Sequence, residues 1–516
     1  MLYNCFLALG SPARPAGRAV IVFVSLAVVA CLAGCGGRKT GIAGKDPLRT
    51  VVRAENNALT LRAWVVNGAK ADVLVHIDTS EDMRVFPESH MQSIRNAAER
   101  LRGGDEDVIS MLAPAIESGG VVNLGYMAGL YKRVVWVVPS EQPIGEAPIE
   151  TFRDFLMKRR GYSKEALKDL WPEGKYIEGT LAGVPLTITR LADFELGDED
   201  VILDIDLAYF VGLSAVIPGY RSGTKSLLSF LQTLRSKALK ANFITITLST
   251  QGNVVPMDIR FFGSMIRESM INPATLEGSP PRKWARMIEA EDMLVISDYE
   301  AAESIYEQLA LDNPDDPGIH FALAVVRGFM EKGIESREAL LRAYSLDGAY
   351  VRGFLQLAQV LGVGGKVSTG EEILETSDLS NIFSEFEMNY QKGVFYLNAG
   401  RPFDAVTYLK KATQKMPNDF ALQNLLYNAY IRTHNSKGIM VTLEKLRKID
   451  EAKVRREIPW VYRELGKVYE EASLYKNAIE MYELYLEIAP GDTSAPEIMG
   501  KVDFWKSKYE KKDRSR

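Results

Sequence analysis

Four aspartates stand where a divalent cation would want them. Asp78, Ser80 and Asp82 follow the apolar run Val73-Leu74-Val75 by way of His76 and Ile77, and Asp204 and Asp206 close the run Val201-Ile202-Leu203. In an extended chain alternate residues share a face. Asp78, Ser80 and Asp82 then point one way, and so do Asp204 and Asp206. Carboxylates that converge at one sheet edge repel one another, so a cation neutralises them or some take up protons. Asp78, Asp82, Asp204 and Asp206 are the candidate metal ligands, with His76 and His90 as further candidates. An oxygen-rich set suits a hard ion such as Mn²⁺ or Mg²⁺ better than Zn²⁺. The competing reading is a sheet edge of solvated carboxylates with no metal. The chain has no phosphate loop, no Gly-rich dinucleotide turn and no nucleophile elbow.

The elements that would position these residues alternate in type. Strands are expected at 59–66, 72–77, 133–138, 200–205 and 243–248, all rich in valine and isoleucine. Helices are expected at 89–102, 106–118, 121–131, 150–158, 163–170, 225–239 and 257–270. That order argues an α/β domain over residues 59–271 with a parallel sheet covered on both faces. In such sheets ligands collect at the carboxyl ends of the strands, where the aspartates lie.

On these segments the domain resembles the arginase, agmatinase and histone-deacetylase fold, and more closely an uncharacterised arginase-like family. The matching stretches are His76–Met83, Asn123-Leu124 with Val134–Pro139, Asp204–Phe210, and Ile244–Ser249 with Pro256. The resemblance implies two manganese ions at the strand ends and hydrolysis of a carbon–nitrogen bond. Two departures weaken that implication. The family's metal-binding histidine is Ser80 here, and an acid expected two residues beyond Asp206 is Ala208. A serine hydroxyl is a poor ligand beside an imidazole, so the expectation is a degenerate site, with His76 supporting a ligand rather than binding metal.

The second half repeats itself. Ala302, Tyr306 and Pro314, then Gly393, Tyr396, Ala405, Ala412 and Pro417, then Leu465, Gly466, Tyr469, Ala478, Tyr482 and Pro490 fall in one phase. The spacing resembles the tetratricopeptide repeat. Small residues let two helices of a hairpin approach closely, aromatics fill the space between hairpins, and proline stops the second helix. An all-α solenoid of roughly six units is expected over 285–510, with residues 361–380 as an insertion or a broken repeat and 511–516 as a charged tail. Residues 272–284, with Pro273, Gly278, Pro280 and Pro281, read as the linker. Such arrays bind protein or peptide on their concave face. The lone His320 and His434 read as surface or packing residues.

The N-terminus reads as an address. Arg14 and Arg18 precede an apolar run from Ala19 to Ala33, and the run ends in Leu32-Ala33-Gly34-Cys35. At about 15 residues it is short for a membrane span. It resembles the lipobox of bacterial lipoproteins, which implies a signal peptide at 1–34, lipid on Cys35 and a tether over 35–58. Cys5, Cys31 and Cys35 are the three cysteines of the chain. After cleavage only the lipidated one remains, which leaves no disulfide or thiol chemistry. Gly36 after the cysteine implies the outer membrane, facing the periplasm. Loss of residues 1–34 removes two basic residues and no acid, taking the net charge from −5 to about −7. That sign disfavours nucleic acid. The expected protein is an envelope lipoprotein that acts as an adaptor through its repeats. The alternative is a manganese-dependent carbon–nitrogen hydrolase.

Overall fold

The computed structural model describes residues 50–117, 119–216, 221, 223–250, 255–375 and 377–514. The signal segment, Cys35 and the tether through residue 49 lie outside the described residues. No helix among the described residues is long and apolar enough to cross a membrane. Two compact units result. One is Val22–Arg327, in its described part, with Glu338–Gly353. The other is Gly328–Arg337 with Phe354–Arg516.

The first unit is built on an eight-stranded sheet. In spatial order it runs β1 (Val51–Ala54), β8 (Lys240–Thr247), β7 (Asp200–Asp206), β2 (Val73–Ile77), β3 (Arg133–Val137), β6 (Val184–Thr189), β5 (Tyr176–Leu181) and β4 (Leu170–Glu173). Neighbours from β1 through β6 pair parallel, and β5 runs antiparallel to both β6 and β4. The sheet is therefore mixed rather than wholly parallel, with three more strands than the apolar runs suggested. Two of its connections are two-residue hairpin loops, Gly174-Lys175 and Ala182-Gly183, where Gly174, Ala182 and Gly183 take positive φ. Glycine at such positions is a hairpin signal. Residues 163–170, expected as a helix, hold only a short 3₁₀ turn at Glu165–Leu167 before β4 begins.

Two further expectations are corrected near the start. Residues 51–54, placed in the tether, form the edge strand β1 beside β8. The run 59–66, expected as a strand, lies in helix α1 (Asn57–Val66). The Asn56 side chain caps it by accepting from the Leu59 amide, and Thr60, Leu61, Trp64 and Val65 are buried at helical spacing. The remaining helices of the domain are α2 (Glu88–Arg102), α3 (Val108–Glu117), α4 (Val121–Met127), α5 (Ile149–Arg160), α6 (Ala208–Val216), α7 (Thr224–Ser236) and α8 (Phe262–Ile271). Trp64, Leu74, Val134, Trp136, Ile188 and Ile202 share one buried apolar cluster.

The chain then passes into paired helices. These are α9 (Arg282–Val295) with α10 (Tyr299–Asp312), α11 (Pro317–Phe329) with α12 (Gly333–Leu346), and α13 (Val351–Val363) with α14 (Val367–Leu374). After the short α15 (Ser377–Ile382) come α16 (Glu385–Asn398) with α17 (Pro402–Lys415) and α18 (Phe420–Arg432) with α19 (Ser436–Ile449). Following α20 (Glu451–Glu457), α21 (Trp460–Glu471) pairs with α22 (Tyr475–Ile488), and α23 (Ala495–Arg514) ends the series. One left-handed residue sits in the turn of each hairpin: Ser297, Glu331, Gly365, Gly400, His434 and Ser473. Their intervals are 34, 34, 35, 34 and 39 residues. Six hairpins therefore follow one period among the described residues. Within 361–380 the period survives although the second helix is broken into α14 and α15, and the insertion of α20 accounts for the long last interval. The small-residue logic is visible at Gly393, where a Cβ would lie 2.5 Å from Leu409, while Ala405, Ala412 and Ala478 are fully buried.

The first unit continues past residues 272–284. Glu291 on α9 accepts from the Thr224 amide at 2.8 Å and its hydroxyl at 2.6 Å, capping the start of α7. Burial lifts this carboxyl to about 7. Arg260 joins Glu55 and Asp347 at 3.0 Å each and lies 5.8 Å over the Tyr350 ring.

Candidate functional site

One row of the sheet carries the chemistry. Cross-strand register sets Trp136 of β3 beside His76 of β2, His76 beside Asp204 of β7, and Asp204 beside Thr245 of β8. His76 Nδ1 lies 2.9 Å from Asp204 Oδ2, and the hydroxyls of Thr245 and Thr247 donate to Asp204 Oδ1. Trp64 Nε1 donates to Thr245 in turn at 3.3 Å. A buried charge thus has partners on both oxygens, the condition for tolerating it away from water.

Past the end of β2 stand Asp78 and Asp82, and Asp206 is the last residue of β7; all three are buried. Asp78 Oδ2 is 3.8 Å and Asp82 Oδ2 4.0 Å from His76 Nε2. Ligand atoms of His76, Asp78 and Asp82 lie within 4.8 Å of one another. Asp82 takes left-handed backbone, with φ 46°, which turns its carboxylate toward Asn57 Nδ2 at 2.5 Å. Asp206 accepts from the Ala208 amide and from Ser249 Oγ, both at 2.7 Å. Asp204 and Asp206 are therefore held by β8 and by α6, while Asp78 and Asp82 face His76. His90 stands exposed on α2, outside that group. Ser80 gives its carbonyl to His76 Nε2 at 3.0 Å and its hydroxyl to the Asp82 amide at 3.3 Å.

Electrostatics follow from burial and crowding. Desolvation, then Asp206 and Asp82, push the Asp78 carboxyl well above the usual range. Desolvation, aided by Asp82 and Asp204, raises Asp206 to about 7 against the bonds from Ala208 and Ser249. For His76 desolvation acts downward, but the Asp204 bond and the charges of Asp204, Asp78 and Asp82 outweigh it and lift the ring to about 10. Both ring nitrogens face acceptors, a carboxylate and a carbonyl. The imidazole is then an imidazolium that donates twice and has no lone pair to offer a metal. The donor set fits a hard cation through Asp78 and Asp82, with Asp206 beside them, rather than through nitrogen. His76 is the internal counter-charge of the cluster.

Several participants carry no motif. Thr245 and Thr247 alternate along β8 and Ser249 follows two residues past its end; that spacing of hydroxyls was the signal in the sequence. Glu81, also buried, accepts from Tyr162 Oη at 3.1 Å and sits 3.4 Å from Arg160 Nε. Trp136 Nε1 donates to the Asp78 carbonyl at 3.0 Å.

No protein-family model and no curated protein matches the chain. Among solved structures, the tetratricopeptide protein YrrB is 14% identical, with TM-score 0.27, over 38% of this chain and 97% of its own. PilW, a type IV pilus biogenesis factor, is 12% identical, with TM-score 0.26, over 43% of this chain and 100% of its own. The pilF protein of Pseudomonas aeruginosa is 13% identical, with TM-score 0.25, over 42% and 97%. The hairpins, their period and their small-residue contacts are what make the second half of this chain a tetratricopeptide-type helical array.

Proposed function

We propose that the protein is an envelope lipoprotein, lipidated at Cys35 and facing the periplasm, that binds a protein or peptide partner through its repeats. The α/β unit serves as a scaffold whose arginase-like site has lost its nitrogen ligand. The observation that carries the adaptor reading is the sixfold series of hairpins on one period. Stacked hairpins offer an extended surface of side chains from successive helices. Asn428 on α18 and Lys467 on α21 are exposed members of the first helices of two hairpins. A photo-crosslinking residue at either position, in the full chain in cells, is expected to give one discrete protein adduct. Diffuse adducts at both positions would count against the adaptor. Anchoring is tested by Cys35→Ser, which should abolish the lipid mass on the residue-35 peptide.

A second reading is favoured by the convergence of Asp78, Asp82 and Asp206. A divalent ion there would be held by these oxygens and would supply Lewis acidity toward a carbonyl and toward water. The chain's own part is clear from geometry. Asn57 fixes Asp82, Ser249 and the Ala208 amide fix Asp206, and Asp204 orients His76. Burial of all four aspartates excludes bulk solvent. Titration with Mn²⁺, Mg²⁺ and Zn²⁺ while following thermal stability tests this reading, since an ion bound only by the folded state raises Tm. Ser80→His should increase the Mn²⁺ shift and Asp78→Asn should reduce it. Indifference of wild type and both variants at millimolar ion removes the hydrolase.

A further inference from the structure

Tyrosines of the helical array share one arrangement. Tyr396 Oη on α16 donates to Glu371 Oε1 of α14 at 2.9 Å. Arg401, whose Cζ lies 5.0 Å over the same ring, donates to that oxygen at 2.7 Å. Tyr482 Oη of α22 donates to Glu470 Oε2 at 2.7 Å, and Lys501 of α23 stands 3.3 Å from the same atom. Tyr469 of α21 and Arg447 of α19 both donate to Glu444. Each time one carboxylate is held by a phenol and a cation together, and bonds to an ionised acceptor are the strong ones.

Tyr408 of α17 has the phenol and the cations without the carboxylate. Its ring stacks on Tyr396, with centroids 5.4 Å apart and planes 14° from parallel. Lys392 Nζ of α16 lies 5.6 Å and Lys411 Nζ of α17 lies 5.4 Å from its centroid. Among the described residues neither ammonium group has an ion-pair partner, and the Tyr408 hydroxyl has no hydrogen bond. Lys411 is exposed, and Lys392 and Tyr408 are half-buried, so all three are open to solvent. The chain does not lack acids to pair them. Its Asp and Glu number 67 against 62 Lys and Arg, and Lys415, one turn beyond Lys411, has Glu385 at 3.1 Å.

We propose that Lys392, Tyr408 and Lys411 bind an aspartate or glutamate side chain of a partner protein. The phenol donates to the carboxylate and the lysines supply the charge, as Tyr396 and Arg401 do for Glu371. The site draws on the second helix of its hairpin, not on the first-helix positions Asn428 and Lys467. It rests on the adaptor reading for its occupant being a protein. That reading is tested by crosslinks from Asn428 and Lys467, and this site by a defined peptide.

The probe is a fluorescent oligoglutamate peptide, followed by anisotropy against the full chain, with oligoglutamine of equal length as reference. Salt at about 0.1 M screens charges more than about 10 Å away. The wild-type chain should bind oligoglutamate and ignore oligoglutamine. Tyr408→Phe keeps the ring and its stack but removes the donor. It should weaken binding about tenfold, the worth of one hydrogen bond to a charged group. Lys392→Gln with Lys411→Gln should weaken it at least as much. Lys437→Gln with Lys448→Gln removes the same charge from exposed lysines of α19 and should change binding by less than about twofold. Absence of wild-type binding, an unchanged Tyr408→Phe chain, or equal weakening by the α19 pair overturns the proposal. Displacement by free glutamate or polyphosphate as readily as by unlabelled peptide would assign the site to a small anion or a phosphate polymer, and overturns it as well. A discrete crosslink at Asn428 or Lys467 alongside any of these failures would leave the adaptor standing without this site.

Discussion

The carboxylate cluster and the hairpin array solve opposite problems. The cluster gathers residues far apart in sequence: His76 meets Asp204, and Asp204 meets Thr245. Its parts are polar and buried, so each is stable only while its partners are in place. The array gathers neighbours. Gly393 packs on Leu409, and the turn at Gly400 lies between them. Its contacts are apolar and recur about every 34 residues. Damage to the cluster should therefore be felt across the sheet, and damage to a hairpin should stay near that hairpin.

The largest effect is expected from His76→Ala. It removes the cation that faces Asp78, Asp82 and Asp204, and loss of one partner of a buried pair costs about 3–5 kcal/mol. Urea unfolding followed by Trp64 and Trp136 emission should show it. A loss under about 1 kcal/mol would mean the carboxylates are neutral without the ring. Next comes Gly466→Val, whose Cβ would stand 2.4 Å from the Tyr482 ring. Overpacking costs about 1–3 kcal/mol. Hydrogen exchange should quicken in α21 and α22 and stay unchanged in β2 and β7. Equal quickening in the sheet would abolish the contrast between the two regions.

Acidity should separate the regions too. Asp206 and Glu291 are raised to about 7 and His76 to about 10, so all three bind protons more tightly folded than unfolded. The stability contributed by the two acids is complete below their ordinary values and is lost as pH rises through about 7. That from His76 is complete below 6.5 and lost as pH rises through about 10. The first unit should thus melt lower at pH 9 than at pH 5. A higher Tm at pH 9 would contradict the raised proton affinity of Asp206, Glu291 and His76. The smallest effect is expected at the turns. His434 holds φ 52° without the freedom of glycine. His434→Gly should stabilise its hairpin by up to about 1 kcal/mol, the cost of left-handed backbone less the added entropy of the unfolded chain. A loss of stability there would mean the side chain has a contact worth more than that strain.

How much of this was legible in the sequence follows the same division. The period of the repeats could be read from Ala405, Ala478 and their companions, because each contact is local and recurs. The strand ends at Asp78 and Asp204 could be read too, since apolar runs lead into them. What was lost depends on partners far away. The stretch 59–66 looked like a strand until its cap at Asn56 is counted. β4 was missed because Trp171, Pro172 and Glu173 give no apolar alternation, whereas β6 did carry a signal in the alternation of Val184, Leu186 and Ile188. The engagement of His76 by Asp204 and Ser80 could not be read, because it depends on the register of β2 against β7.

The Arg260 and Glu291 contacts bear on how the chain would respond to cutting. Gly278 lies in the exposed stretch before α9, with φ 72°, where a protease would find ready backbone. Severing the chain there would not separate its halves. α9 would still cap α7 through Glu291, and Asp347 would still hold Arg260. The nicked protein would behave as two polypeptides in one particle, eluting as a single species until denaturant parted them. Limited proteolysis would then report one band pattern on a denaturing gel and another in native solution.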